Sequence, residues 1–144
     1  MGYLNFVLRD ARERWNLDQD NHEMRLQYSS ILAKSISNRD NAEALLHLRF
    51  LVDASFSLRE TLYEISLLCY YMNDFTTARY FCEELYKMDP DCRQISNLHK
   101  AICYKKLVDK REAKKELIKV GAVGAVALLA CTVVMVMTSG RKSS

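Results

Sequence analysis

The sequence predicts an all-α protein: a six-helix superhelical bundle followed by a C-terminal transmembrane helix. Three observations predict it. Helix breakers are nearly missing from the body of the chain, where Pro90 is the one proline and no glycine lies between Gly2 and Gly121; turn-rich β architecture lacks its raw material in such a chain. Apolar residues recur at helical spacing in six blocks, near 3–16, 22–36, 41–54, 57–71, 74–87 and 91–115. An uncharged run, VGAVGAVALLACTVVMVMT, fills residues 120–138 close to the C-terminus.

The six blocks justify the helices in order. Polar breaks separate them, and short breaks make successive helices antiparallel neighbours. Ser57 and Asp74 are placed to cap the helices they open. Asp89-Pro90-Asp91 ends one helix and starts the next, since proline is tolerated in a first turn but not in a helix interior. About 115 residues precede the apolar run, enough for one domain with a modest core. We expect a cytosolic domain over 1–115, a basic juxtamembrane linker over 116–119, an anchor over 120–138 and a short basic tail over 139–144.

Nineteen helical residues span about 28 Å, close to the roughly 30 Å hydrocarbon layer of a bilayer. A buried core helix would carry polar residues on one face. Only Thr132 and Thr138 interrupt this run, and each hydroxyl can bond back to its own helix. Residues 1–99 carry 11 basic and 15 acidic side chains, whereas 100–119 carry eight basic and three acidic ones. The basic excess ahead of the anchor exceeds that of the tail, which holds Arg141 and Lys142, so the domain should face the cytosol. Met1-Gly2-Tyr3-Leu4 opens no basic-then-apolar export signal. The mildly acidic body argues against nucleic acid as a partner. Gly121 and Ala125, with small-xxx-small spacing, would let anchors pair into a homo-oligomer.

The chain also repeats itself. A 34-residue shift aligns Ile31 with Ile65, Asp40 with Asp74, Ala44 with Ala78 and Leu51 with Leu85. That shift is the tetratricopeptide period, and it places two units at about 25–56 and 59–92. Ala44 and Ala78 fall where paired helices cross and a larger side chain would force the backbones apart. Pro90 closes the second unit, while Phe56 stands at the same place in the first. A generic six-helix bundle is the alternative reading. Because two repeats leave their apolar faces open, the helices at 3–16 and 91–115 are positioned to cap them. A concave groove formed by the first helix of each unit would present Leu26, Ser29, Ala33 and Ile36 from one copy and Glu60, Tyr63, Leu67 and Tyr70 from the other. Such an apolar and aromatic lining suits a peptide or an amphipathic helix.

Catalytic signatures are missing: there is no phosphate-binding G-x-x-x-x-G-K-[ST] loop, no H-E-x-x-H and no G-x-S-x-G. The expectation is a binding protein, not an enzyme, with no cofactor. Cysteines 69, 82, 92, 103 and 131 contain no C-x-x-C pair, and His22, His47 and His99 have no metal-ligand spacing. Reduced packing thiols and no metal site follow.

From Arg59 to Gln94 the sequence reads RETLYEISLLCYYMNDFTTARYFCEELYKMDPDCRQ. Its Tyr70, Asp74-Phe75, Ala78, Tyr80, Leu85 and Asp89-Pro90, together with the basic linker and the small-residue anchor, resemble the mitochondrial fission 1 protein family from about residue 22 onward. Members typically carry a glycine within the stretch that here reads Leu67-Leu68-Cys69-Tyr70, and an asparagine where Cys92 stands, so the groove's shape should differ. The resemblance implies a tail-anchored adaptor on the mitochondrial outer membrane, and on peroxisomes, that recruits a dynamin-related GTPase or its adaptor protein for membrane fission. It also implies that the N-terminal segment, with Tyr3, Leu4, Phe6, Val7 and Trp15, can occupy or regulate the groove; a permanent cap is the plainer reading. The alternative function is a tail-anchored tetratricopeptide receptor that docks targeting peptides or chaperone-bound cargo. The chaperone version is disfavoured, because Ser29, Ala33 and Glu64 stand where a carboxylate clamp needs basic or amide groups.

Overall fold

The computed structural model describes the backbone of residues 2–139 and the side chains of residues 2–122. Helices follow one another without strands among the described residues: α1 (Gly2–Leu17), α2 (His22–Leu32), α3 (Asn38–Asp53), α4 (Leu58–Tyr71), α5 (Phe75–Met88) and α6 (Arg93–Ser139). All six beginnings lie within three residues of the periodicity reading. Helix α6 differs at its far end, running on through 116–119, where a linker was expected.

Helix starts are fixed by side-chain oxygens that accept otherwise unpaired N–H groups. Asn21 accepts from the amides of Glu23 at 3.1 Å and Met24 at 3.2 Å. Asp74 accepts from the Thr77 amide at 3.1 Å, as its spacing predicts. Ser57 does not cap α4: its backbone is left-handed (φ 42°), which turns the side chain away from the helix amides, and its hydroxyl instead donates to Glu60 at 3.2 Å. In the first repeat Ser37, not Asp40, opens α3. The two repeats therefore start their second helices one turn out of register.

Helix ends are more alike. After α3 the Phe56 amide donates to the Leu51 carbonyl at 3.0 Å and the Ser55 amide to Val52 at 2.9 Å, with Ser55 at φ 52°. After α4 the Asp74 amide donates to Cys69 at 2.9 Å and the Asn73 amide to Tyr70 at 3.1 Å, with Asn73 at φ 61°. Both are six-to-one, five-to-two terminations that usually recruit glycine at the left-handed residue. Neither has one here.

Met1–Lys105 forms one compact unit, and Lys106–Ser144 a second. Within the first, α4 packs on α5 most extensively, followed by α2 on α3, α1 on α2 and α3 on α4. Ala44, Leu51, Ile65, Ala78 and Leu85 from the 34-residue alignment are all fully buried, whereas Ile31 is half-buried. The interior is completed by Leu32, Leu48, Leu68 and, from the first turns of α6, Ile95, Leu98 and Ile102. Arg59 bridges to Asp89 through Nε at 3.1 Å and Nη2 at 2.8 Å, tying the start of α4 to the turn that holds the exposed Pro90. Among the described residues no helix is long and apolar enough to cross a membrane. Apart from residues 120–122, the side chains of the expected anchor at 120–138 lie outside the described residues.

Candidate docking faces

Helix α4 carries one stripe of the expected groove. Glu60, Tyr63, Leu67 and Tyr70, spaced i, i+3, i+7 and i+10, share a face. Glu60 is exposed, while Tyr63, Leu67 and Tyr70 are half-buried and lean on the core. The Tyr70 ring meets Phe75 edge-on at 5.7 Å and Tyr71 at 5.8 Å. Glu64 lies beside the stripe. Burial pushes its carboxyl above the usual carboxylate range, the Lys34 charge pulls it down and the Glu60 charge pushes it up. An apolar, aromatic strip edged by a partly dehydrated carboxylate has the chemistry of a surface that binds an amphipathic segment.

The α2 set sits elsewhere. Leu26 and Ser29 are buried, because α2 is covered by α1 on one side and α3 on the other. The Ser29 hydroxyl is spent on the Leu26 carbonyl at 2.9 Å. Ala33 is half-buried in the turn after α2, and Ile36 stands beyond the helix at 86% exposure. The first-copy residues and the α4 stripe are thus not gathered on one open face. Periodicity identified a helix face of α2 but could not reveal that the face is buried in the bundle.

A second face was missed by the sequence reading. A cleft of about 610 Å³ opens between the second helices of the two repeats, with Arg49 and Asp53 from α3 facing Thr77, Tyr80 and Glu84 from α5 over a floor of Leu62 and Phe81. Its signal in the sequence was the exposed aromatic Tyr80, at 63% exposure and in edge contact with Phe81 at 5.1 Å. That residue had been noted only as part of a family resemblance.

The N-terminal helix is held by a polar and aromatic knot. Arg12 Nε donates to the Tyr28 hydroxyl at 3.0 Å, and that hydroxyl donates to Glu43 Oε1 at 2.7 Å. Trp15 stacks on Tyr28 with ring centroids 6.3 Å apart and meets His47 edge-on at 5.3 Å. The Arg25 guanidinium lies between the rings of Trp15 (4.6 Å) and Phe50 (3.8 Å). Burial lowers the pKa of His47, the Arg25 charge lowers it further, and Glu43 opposes both. Helix α1 thus caps the first repeat by way of α2 and α3.

Burial pushes the Cys69 and Cys82 thiols up to about 11 each, which makes them inert packing groups. Among the described residues no group of three His, Cys, Asp or Glu side chains is placed to hold a metal ion.

Antiparallel helix pairs repeated at a 34-residue period, capped at one end and open along α4 and between α3 and α5, define a tetratricopeptide-like fold. Residues 59–108 match the model of the Fis1 C-terminal tetratricopeptide repeat. No curated protein sequence matches it. Its fold is similar to the crystal structure of fission protein Fis1 from Saccharomyces cerevisiae, with a TM-score of 0.70 at 19% identity over 74% of this chain and 85% of that one. It is also similar to yeast Fis1 solved in complex with an Mdv1 fragment containing N-terminal extension and coiled-coil domains, with a TM-score of 0.67 at 19% identity over 72% and 84% of the two chains.

Proposed function

We propose that this protein is a tail-anchored adaptor of the mitochondrial outer membrane, and of peroxisomes, whose helical domain faces the cytosol and recruits a dynamin-related GTPase or its adaptor protein for membrane fission. The observation that carries the reading is the coincidence of the Fis1-type repeat at 59–108 with the half-buried stripe Tyr63, Leu67 and Tyr70 on α4. A Fis1 of the same fold was solved with a fragment of Mdv1 bound, which supports an adaptor as the partner. In this reading the protein binds and positions but does not catalyse, and any GTP chemistry belongs to the recruited partner. The apolar run at 120–138 and the basic residues ahead of it support the anchor and its orientation.

The test images a fluorescently tagged full chain beside mitochondrial and peroxisomal markers, comparing the wild type with Leu67→Lys. A charge in the middle of the stripe should abolish organelle fragmentation on overexpression while leaving localisation and the helical circular-dichroism spectrum at working temperature unchanged. Fragmentation by Leu67→Lys equal to that of the wild type would remove the α4 stripe from the mechanism. A wild-type chain that reaches neither organelle would remove the proposed function itself.

A further inference from the structure

Beyond Lys105 only Lys106 and Val108 of the described α6 side chains are even half-buried. Residues 109–122 are exposed without exception, with Leu117 at 73%, Ile118 at 62% and Val120 at 69% exposure, and Leu107 is exposed at 48%. A helix this open gains little from packing, and in water an isolated segment of this length is marginal. Its side chains are nevertheless sorted. Asp109, Glu112 and Glu116 (i, i+3, i+7) lie on one side, where Lys119 pairs with Glu116 at 2.8 Å. The opposite side holds two adjacent stripes at i, i+4, i+7 and i+11. One is Leu107, Arg111, Lys114 and Ile118; the other is Lys106, Lys110, Ala113 and Leu117. No acid falls in either stripe, and none of these four basic groups forms an ion pair among the described residues.

Lys106, Lys110 and Lys114 repel one another at i, i+4 spacing, which weakens an isolated helix by a few tenths of a kcal/mol per pair. An arrangement that is unfavourable alone becomes favourable against an extended negative surface. The geometry points to residues 106–119 as an interfacial helix that lies on anionic lipid, with its Lys and Arg heads at the phosphates and Leu107, Leu117 and Ile118 entering between the headgroups. The apolar residues set between the cations match a layer that is charged outside and oily beneath, whereas an acidic protein or RNA would meet only the charge. This surface is independent of the α4 stripe and the α3–α5 cleft.

Hydrogen exchange of the full chain, read peptide by peptide by mass spectrometry, tests it. The chain is reconstituted in phosphatidylcholine vesicles with and without phosphatidylserine, so that insertion through the apolar tail is common to both arms. Amides of 106–119 should exchange roughly tenfold more slowly when the anionic lipid is present. That difference should vanish in salt well above physiological strength and in the triple variant Lys106→Gln, Lys110→Gln, Lys114→Gln, and should survive when the same three positions become Arg. Equal exchange with both lipids, or a difference that the triple Gln variant keeps, overturns the assignment. So does stronger protection by an RNA homopolymer than by the anionic vesicles.

Discussion

Tyr28→Phe should loosen α1 by a calculable amount. The substitution keeps the ring that stacks on Trp15 and meets His47 at 5.6 Å, and removes only an oxygen that accepts from Arg12 and donates to Glu43. Tyr28 is 1% exposed, so water does not replace the hydroxyl in place. A hydrogen bond to a charged group contributes about 1.5–3 kcal/mol net when its partner cannot rehydrate. Arg12 is exposed and Glu43 half-buried, so both regain part of their solvation, and the two bonds together should be worth about 2 kcal/mol. With a urea slope of about 1–2 kcal/mol/M for a domain of this size, the unfolding midpoint falls by roughly 1 M. Trp15 is the single tryptophan and sits inside the knot, so its fluorescence reports release of α1 while circular dichroism reports the whole bundle. Arg12→Ala and Glu43→Gln, alone and combined with Tyr28→Phe, complete double-mutant cycles. A Tyr28→Phe midpoint within experimental error of the wild type, or additive cycles, would refute the network as the clamp that holds α1.

Two further outcomes follow from the backbone and from protonation. Ser55→Gly removes a left-handed cost of about 1–2 kcal/mol and restores some unfolded-chain entropy, so a net gain of about 0.5–1 kcal/mol should appear as a higher melting temperature; a lower one would contradict the left-handed turn. Because burial first, and then Arg25, hold the folded-state pKa of His47 below its unfolded value, the unfolded chain binds more protons through that window. Stability from this residue is therefore complete above about pH 6.5 and declines as pH falls through that value toward the folded pKa. Urea midpoints at neutral and mildly acidic pH should converge in His47→Phe and separate in the wild type, and parallel shifts would locate the titrating group elsewhere.

Helix number, order and most starts were legible because apolar spacing and two strong punctuation points, Asp74 and Asp89-Pro90, act locally. The failures were contextual. Ser57 has a cap's chemistry but adopts a left-handed backbone set by the closing turn of α3. Leu26 and Ser29 lie on a helix that tertiary packing between α1 and α3 takes out of solvent. The α3–α5 cleft depends on how far two non-consecutive helices stand apart, a distance no local pattern encodes. The left-handed Asn73 had a recognisable preference behind it, whereas Ser55 had none.

Shifting by one repeat places Arg25 where Arg59 stands. The second arginine makes a solvent-facing bridge to Asp89, with side-chain exposures of 57% and 34%. The residue 34 positions before Asp89 is Ser55, so the first arginine has no such acid to reach and is enclosed by two aromatic rings. Equivalent positions of the two repeats thus make two kinds of fastening. Dissolved ions weaken the open bridge and leave the enclosed stack nearly untouched. The ionic composition around the protein therefore acts unequally along its length, easing the closure of the second repeat while the cap on the first stays in place.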